Sequence, residues 1–371
     1  MRVAIDARMA RITGIGRYTD ELVTGLELEG LKPTAFVSPG DAAWWHHRHP
    51  HLPYRIAPES IYSWSEQLIF PSRLMREHFD VVHFTNFNVP LAYRRPFVVT
   101  IHDTIPLQYS GERRRSGLSR QAYQRVIRSA LARAQRVIVP SMMVKEELAQ
   151  LGDVSHVGVV MHGIGETFVG PVTERSAASA VFSGLKIEAP YILYVGNDRS
   201  HKNIEQLIRA FGQARTALAS GQLVLAGPTS PHRGLVLRHM VEELDLDRSV
   251  RFCANPDDAT LTALYDGARA LVVPSLVEGF GLPALEAAAR GTLVIASETT
   301  PVREFLHDAV LTFNPRDADQ LANTIVVAWH NQKIRTTLGQ KGRAYALRRD
   351  WQMVARETIQ LYERAQVGRL L

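Results

Sequence analysis

The chain has 371 residues, which is long for one hydrophobic core and enough for two domains of ordinary size. Apolar residues make up 46% of the chain and charged residues 22%, the proportions of a soluble globular protein. The 43 basic and 37 acidic residues give a net charge of +6. This mild excess suits an anionic ligand or an anionic membrane surface, and it does not indicate nucleic acid as a partner.

Cysteine usage and apolar runs limit the class of protein further. The single cysteine, Cys253, excludes an internal disulfide and a cysteine-rich metal site. Residues 1–6 predict a short strand that is too brief for a signal peptide, and no apolar run reaches the roughly 18 residues of a membrane-spanning helix. We therefore expect a cytoplasmic protein whose only membrane contact is peripheral, on the cytoplasmic face.

Short apolar runs and amphipathic stretches alternate along the first half of the chain. The runs at residues 2–5, 34–37, 80–84, 97–101, 136–139 and 157–161 predict strands. Helices are predicted at residues 65–78, 120–136 and 144–151, and a further helix opens at Gly14. Residues 40–53, with two tryptophans and four histidines, are predicted to be irregular. Strands that alternate with helices predict a parallel sheet covered on both faces.

The composition changes at residues 162–189, which are rich in Gly, Ser and Thr, so we place a hinge there. Strands are predicted again at residues 191–195, 223–226, 250–253, 271–273, 293–296 and 310–313, with an amphipathic helix at 203–219 and mainly helix after 317. We predict two doubly wound, Rossmann-like α/β domains at residues 1–168 and 169–350. A C-terminal helix at 351–371 is expected to pack back on the first domain. Two such sheets facing each other would form a ligand cleft at their strand ends.

The most informative stretch is VPSLVEGFGLPALEAAARG at residues 273–291, which predicts a strand end, a tight loop and a short helix. Gly281 allows an unusual backbone path and Pro283 suits the first helical turn. The amides at the helix start favour an anion, whereas Glu278 and Glu286 are suited to accept hydrogen bonds from hydroxyls. A phosphate flanked by two sets of hydroxyls describes a nucleotide sugar. The alternative is a crossover loop with one solvated glutamate and one that favours the helix N-terminus.

Polar residues also follow other predicted strands. Arg199 and Lys202 could neutralise the charge that develops on a departing diphosphate, or could belong to a solvated basic turn. His102, followed by Asp103, could hydrogen-bond a sugar hydroxyl or move a proton, or could cap its turn. His83 is a weaker candidate of the same kind.

Two patterns at first sight indicate other ligands. Gly14 and Gly16 could let the backbone approach a diphosphate, but the third glycine of the dinucleotide fingerprint is missing, and a flexible helix entry is the alternative. The histidines at residues 46, 47, 49 and 51 look like a metal-binding tract. No cysteine or ordered set of carboxylates accompanies them, so a polar loop is favoured and no metal is expected.

The predicted helix at residues 120–136 is rich in arginine, at positions 125, 128, 133 and 136, and it carries an apolar stripe. We expect the stripe to pack on its own sheet. The basic side could contact anionic lipid head groups, or it could be a solvated face.

Together these motifs resemble those of a known family. Glu278 and Glu286, separated by seven residues, are similar to the Glu-x7-Glu motif of the retaining glycosyltransferases of family 4, which have the GT-B fold. The segments GIGRY at residues 14–18, HDTIP at 102–106, PS at 140–141 and KN at 202–203 stand in the family's order. The resemblance covers nearly the whole chain and extends to bacterial mannosyltransferases that build surface polysaccharides, such as lipopolysaccharide, on lipid carriers.

The resemblance implies a role for each matched residue. Glu278 would hold hydroxyls of the donor hexose, Glu286 the ribose diol and Lys202 the diphosphate. His102 would contact the transferred sugar, with His83 and Asp103 as candidates on the acceptor side. Contacts to the donor are implied for a further set of residues: Gly14, Gly16, Asn197, Phe280, Gly281 and Leu282. Many family members have an arginine where this chain has Asn197, so Arg199 is the candidate replacement.

We therefore expect a retaining, metal-independent transfer of a hexose from a nucleotide sugar to a hydroxyl of a glycan or polyprenyl-diphosphate-linked saccharide. GDP-mannose is the donor that the family suggests, and no cofactor is expected. One alternative is an epimerase or phosphorylase on the same fold. Another is a non-catalytic subunit that binds a nucleotide sugar, although the intact Glu278, Glu286 and Lys202 argue against it.

Overall fold

The computed structural model describes residues 1–108, 117–171, 181–188 and 190–367. The chain divides into two compact units. Unit 1 comprises Met1–Gly163 and Asp350–Leu371, and unit 2 comprises Ile164–Arg349. The C-terminal helix, Trp351–Val367, therefore belongs to the same unit as the first half of the chain.

Unit 1 is built on a parallel sheet with the strand order β3-β2-β1-β4-β5-β6-β7. Its strands are β1 (Val3–Asp6), β2 (Thr34–Val37), β3 (Tyr54–Ile56), β4 (Val81–Phe84), β5 (Phe97–Thr100), β6 (Arg136–Val139) and β7 (Val157–Val159). The sequence analysis missed β3, an edge strand of three residues whose side chains are largely exposed. Such a strand lacks the apolar run that marks a buried strand.

The helices of unit 1 are α1 (Thr13–Leu28), α2 (Ala42–Arg48), α3 (Trp64–Arg76), α4 (Ile105–Gln108), α5 (Gly117–Arg133), α6 (Met142–Ala149) and the C-terminal helix. The prediction of irregular structure at residues 40–53 was wrong, because α2 lies within it. Trp45 and His49 are one helical turn apart and both are buried, with ring centroids 4.5 Å apart. The burial of Trp45 stabilises α2 where local composition does not indicate a helix.

The C-terminal helix packs against α1 at short range. Gly25 of α1 faces the backbone of Trp351, and a Cβ atom at this position would lie 2.9 Å from the Trp351 carbonyl carbon. Buried apolar side chains surround this contact, among them Tyr18, Leu22 and Tyr362. The close approach of the two helices therefore requires glycine at position 25.

Unit 2 has a parallel sheet with the strand order β10-β9-β8-β11-β12-β13. Its strands are β8 (Tyr191–Val195), β9 (Gln222–Ala226), β10 (Val250–Cys253), β11 (Ala268–Val273), β12 (Leu293–Ser297) and β13 (Val310–Phe313). Its helices within residues 190–349 are α7 (Ile204–Leu218), α8 (Pro231–Glu243), α9 (Asp258–Gly267), α10 (Leu282–Ala289), α11 (Val302–Leu306), α12 (Ala318–His330) and α13 (Gln332–Ala346).

Two parallel sheets with helices between their strands confirm the predicted fold class. In each sheet the strand order reverses direction once, between β1 and β4 in unit 1 and between β8 and β11 in unit 2. Loops that leave such a pair of strands diverge, and the crevice between them is the usual ligand site of an open α/β sheet. Among the described helices, none combines the length and the apolar character needed to cross a membrane.

We predict that Gly25→Ala destabilises unit 1. The added methyl group overlaps the Trp351 backbone, so α1 and the C-terminal helix must separate, at a cost of about 1–3 kcal/mol in the free energy of unfolding. Chemical denaturation measures this loss. Gly14→Ala in the same helix is the control, because its Cβ meets no atom within 4 Å. Equal denaturation midpoints for the two variants would contradict the prediction.

Candidate functional site

The loop between β11 and α10 carries the glutamate motif and has a backbone that only glycine adopts readily. Gly281 caps α10 with φ 105° and ψ 55°, in the left-handed region. A Cβ there would also lie 3.3 Å from Val302 Cγ2. Phe280 is buried and stacks on Phe305, with ring centroids 4.5 Å apart. The Phe280 side chain thus anchors the loop. Of this residue, only the backbone can make the donor contact that the resemblance implies.

Glu278 and Lys202 form an ion pair at the point where the strand order of unit 2 reverses. Lys202 Nζ lies 2.6 Å from Glu278 Oε1, and Ser275 Oγ donates to the same oxygen at 2.7 Å. The two charged side chains keep 18% and 12% of their surface exposed. Burial by itself raises the pKa of Glu278, but the Lys202 charge and the hydrogen bonds from Lys202 and Ser275 outweigh it and hold that pKa below its ordinary value.

A short turn at Ser200–Lys202, directly after β8, presents the lysine. Asn203 follows with φ 56°, and its Nδ2 donates to the carbonyls of Pro274 and Pro315 at 3.1 and 2.8 Å. The amide of Leu276 donates to the His201 carbonyl at 2.8 Å. The loops after β8 and β11 are therefore joined on both sides of the ion pair.

His201 is neutral at pH 7, so the positive charge of this turn comes from its neighbours. Burial and the adjacent Lys202 lower the pKa of His201 to about 4. Arg199 is exposed, and its charge also depresses the pKa of His201, which places the guanidinium within electrostatic range of the turn. The Arg199 amide contacts Asn197 Oδ1 at 3.3 Å. Two cations, Arg199 and Lys202, thus occupy one strand end.

Glu286 lies on α10, and only 4% of its surface is exposed. Its Oε2 accepts a hydrogen bond of 2.7 Å from the hydroxyl of Tyr265, which is buried on α9. The sequence analysis missed Tyr265 because nothing in its local pattern separates a partner of a glutamate from an ordinary core tyrosine. It also missed Asp198, a buried carboxylate that accepts from the backbone amide and hydroxyl of Ser230 at 2.6 and 2.9 Å.

In unit 1, His102 lies just beyond the end of β5 and is half-buried. Its Nε2 donates to the Thr85 carbonyl at 2.8 Å, and its ring meets the edge of Tyr18 at 4.7 Å. Burial lowers the pKa of His102 to about 4. The imidazole is therefore neutral at pH 7, and since Nε2 carries the proton, Nδ1 is a hydrogen-bond acceptor.

His83 lies inside unit 1 instead of at its surface. Its two ring nitrogens are 2.7 Å from Tyr362 Oη and 2.8 Å from Thr100 Oγ1, and its side chain has no exposed surface. Burial, followed by the effect of His102, lowers its pKa to about 3. In this position His83 links β4 to the C-terminal helix. It is enclosed by the fold and is not placed to contact an acceptor saccharide. Asp103 accepts from the Ile105 amide at 3.0 Å at the start of α4.

The two glycines at the start of α1 have different surroundings. A Cβ on Gly16 would lie 2.6 Å from the Ala10 carbonyl oxygen, so this glycine allows the helix to approach the loop after β1. Gly14 is exposed, and no atom lies within 4 Å of its would-be Cβ. The structure therefore explains Gly16 by a contact within the chain and leaves Gly14 facing open space.

The histidine tract does not form a metal site. His49 Nε2 contacts Asp20 Oδ1 at 2.9 Å, and the tract begins on α2. Within the described parts of the chain, no group of three or more His, Cys, Asp or Glu side chains is arranged to hold a metal ion.

Comparisons with known proteins identify the class. The family described as Glycosyltransferase Family 4 matches residues 12–166, and Glycosyl transferases group 1 matches residues 179–345. Together they span nearly all of both units. The chain belongs to the glycosyltransferases that combine these two domains in the GT-B fold.

Relatives and solved structures agree with this assignment. O-antigen chain mannosyltransferase B of Escherichia coli is 28% identical over 95% of this chain and 96% of its own length. The O-antigen chain mannosyltransferase RfbU of Salmonella typhimurium is 27% identical over 71% of this chain and 69% of its own. Sucrose-phosphate synthase of Thermosynechococcus elongatus shares the fold with a TM-score of 0.80 at 23% identity, over 99% of this chain and 100% of that chain. Anabaena HepE, solved with UDP and glucose, also has a TM-score of 0.80, at 17% identity over 97% and 98%.

We predict that Glu278→Gln changes the acid sensitivity of folding. The folded pKa of Glu278 lies below its ordinary value, so the carboxylate stabilises the fold above the ordinary glutamate pKa of about 4.3, and this contribution is lost as the pH falls through the lower folded value. The difference in free energy of unfolding between wild type and Glu278→Gln should therefore be largest near pH 7 and shrink below pH ~4. Glu298→Gln is the control, because it makes the same chemical change at an exposed position of unit 2.

Proposed function

We propose that the protein is a retaining, metal-independent hexosyltransferase. It transfers a hexose from a nucleotide sugar to a hydroxyl of a glycan or a polyprenyl-diphosphate-linked saccharide, with GDP-mannose as the first donor to test. The observation that carries the proposal is the ion pair of Lys202 and Glu278 beside the start of α10. The choice of mannose is supported by the name of the Escherichia coli relative, which matches 95% of this chain.

The diphosphate of the donor fits the start of α10. Pro283 has no N–H, and the Ala284 amide already donates to the Gly281 carbonyl at 2.9 Å. The amides that precede this first helical bond belong to Gly281 and Leu282, and the helix dipole adds positive potential at the same place. Glu286, one turn further along α10, would accept hydrogen bonds from the ribose diol in exchange for, or beside, its bond to Tyr265.

Lys202 can serve the diphosphate without leaving Glu278. An ammonium group has three donors, and Glu278 Oε1 occupies one of them. The remaining donors would stabilise the charge that develops on the diphosphate as the bond between the sugar C1 and the diphosphate oxygen breaks. Arg199, exposed on the same turn, would add a second cation. These two cations would supply the neutralising charge in the proposed metal-independent reaction.

Glu278 and His102, each within its own unit, are suited to accept hydrogen bonds from sugar hydroxyls. Glu278 is ionised because its pKa is held low, so it accepts hydrogen bonds from hydroxyls of the donor hexose. His102 is neutral and would accept a hydrogen bond at Nδ1 from a sugar hydroxyl. In the proposed reaction the acceptor hydroxyl attacks C1 from the face that the diphosphate leaves, so the anomeric configuration is retained. The proton of that hydroxyl passes to the departing diphosphate.

We predict that Lys202→Ala lowers kcat for hexose transfer by about 10²–10³-fold, the usual cost of removing one group that stabilises developing negative charge. Transfer from GDP-mannose to a saccharide acceptor is followed by NMR of the product, which also reports the anomeric configuration. Lys333→Ala is the control, because Lys333 is exposed on α13. Circular dichroism establishes that both variants are folded.

Four outcomes would contradict this proposal. Normal kcat in folded Lys202→Ala would remove Lys202 from the reaction, and an inverted product would exclude retention. A strict requirement for free phosphate would favour a phosphorylase. The last outcome combines binding with a lack of transfer. If GDP-mannose raises the unfolding temperature, but neither GDP-mannose nor UDP-glucose serves as a donor with any acceptor tried, the protein is a binding subunit.

Peripheral contact with an anionic membrane is the second part of the proposal. Arg125 and Arg128 are exposed on α5, one turn apart. Arg133 is already engaged, because its guanidinium donates to the carbonyls of Tyr93 and Pro90 at 2.7 and 3.3 Å. The part of the basic helix that would meet lipid head groups is therefore the face of Arg125 and Arg128.

We predict that the double variant Arg125→Glu/Arg128→Glu loses at least tenfold in affinity for vesicles that contain phosphatidylglycerol, since each basic residue near such a surface contributes about 1 kcal/mol. Vesicle sedimentation measures the affinity. The control, Arg209→Glu/Arg316→Glu, has the same change in net charge at exposed positions of unit 2. Equal losses in both variants would show that only net charge matters, and no loss in the first would exclude this face.

A further inference from the structure

Tyr62, in the loop between β3 and α3, combines two unusual properties. Its side chain is 64% exposed, and its backbone has φ 64°, in the left-handed region that a residue with a large side chain rarely adopts. A strained backbone of this kind persists only where the surroundings impose it, and such positions cluster at ligand sites.

A buried charge network imposes the conformation of Tyr62. Its amide donates to Glu66 Oε2 at 2.7 Å, and the Glu66 carboxylate also accepts from Arg8 at 2.8 Å and from Asn88 at 2.5 Å. Arg8 lies over the ring of Phe70 and donates to Asp6 as well. Neither charged side chain of the Arg8–Glu66 pair has more than 1% of its surface exposed. The network therefore holds the Tyr62 backbone from inside unit 1.

The ring of Tyr62 lies beside the loop that follows β4. Asn86 Nδ2 is 3.4 Å from Tyr62 Oη and 3.4 Å from Met9 Sδ, and the ring of Phe87 lies 6.3 Å away at an angle of 33°. The neighbouring Thr85 carbonyl accepts from His102. Tyr62 thus borders the strand ends of β1, β4 and β5, at the reversal of strand order where unit 1 would bind a ligand.

We propose that Tyr62 is a stacking platform for a hexose ring of the acceptor, on the side of unit 1 that carries His102. One face of a pyranose presents C–H groups with partial positive charge, which suits the negative face of an aromatic ring. The Asn86 amide and the Tyr62 hydroxyl stand at the edge of the platform, where sugar hydroxyls need partners. This inference rests on the proposed function, because it takes the ligand of unit 1 to be the glycan acceptor.

The first experiment detects binding without transfer. The wild-type protein with 13C-labelled tyrosine is titrated with methyl α-mannopyranoside, methyl α-glucopyranoside, methyl α-galactopyranoside and their disaccharides, and the Tyr62 signal is assigned by its loss in Tyr62→Phe. We expect a saturable shift of the Tyr62 ring signal with at least one saccharide. No shift with any saccharide would overturn the inference, whether or not transfer occurs. A shift of the Tyr62 signal in a protein that transfers no hexose would contradict the proposed function but would support saccharide binding at Tyr62.

The second experiment compares substitutions. Tyr62→Ala should raise the Kd for the saccharide and the KM for the acceptor by about five- to tenfold, as expected for loss of one ring contact, with the KM for the donor unchanged. Tyr62→Phe keeps the ring and should retain most of the affinity. The control, Trp64→Ala, removes a neighbouring aromatic side chain that is 84% exposed and should change neither constant.

A third variant separates stacking from folding. Tyr62→Gly removes the ring and also relieves the positive φ, so it should unfold at a higher denaturant concentration than Tyr62→Ala while binding the saccharide equally weakly. Normal saccharide affinity in folded Tyr62→Gly would overturn the platform. A loss of affinity that is confined to acceptors with a polyprenyl chain would also overturn the platform. It would show that Tyr62 contacts the lipid and not the sugar ring.

Discussion

The ion pair between Lys202 and Glu278 is the interaction on which the candidate site of unit 2 depends. It joins the loops that follow β8 and β11, which are neighbours in the sheet although Lys202 and Glu278 are 76 positions apart in the chain. Asn203 and the Leu276 amide tie the same loops together on either side of the pair. Because both charges remain partly exposed, the pair can exchange contacts with a ligand without leaving a buried charge unpaired.

Unit 1 also has an ion pair near its reversal of strand order. Unlike the partly exposed Lys202–Glu278 pair, it is buried. Arg8 and Glu66 are almost fully enclosed and satisfied by Asp6, Asn88 and the backbone. Loss of either partner would strand a charge in the interior, so this network is suited to hold a loop and not to bind a ligand. Its effect reaches the surface through the amide of Tyr62. The Arg8–Glu66 pair is therefore a structural support, and the Lys202–Glu278 pair belongs to the candidate site.

The histidines near the strand ends do not supply charge at neutral pH. Burial is the largest cause that lowers the pKa of His83, His102 and His201, to about 3, 4 and 4. The positive charge of the candidate site is accordingly that of Lys202 and Arg199. His102 is a neutral imidazole whose Nδ1 can accept a hydrogen bond, and the Thr85 carbonyl orients its ring. The fold therefore controls both the orientation of the ring and the nitrogen that carries its proton.

The order of most strands and helices, the position of Lys202 and Glu278 after strands, and that of Glu286 on the following helix were predictable from the sequence. They follow from local apolar periodicity and from glycine and proline positions, which depend on near neighbours in the chain, whereas the GT-B class was implied by the resemblance of the motifs to family 4. The burial of His83 was not predictable, because its partner Tyr362 is 279 positions away. The pairing of Glu286 with Tyr265, the contact of His49 with Asp20, and the strain at Tyr62, whose partner Glu66 is held by Arg8, also arise only in the tertiary structure. Each of these roles depends on a side chain from a distant segment, and local periodicity carries no information about such partners.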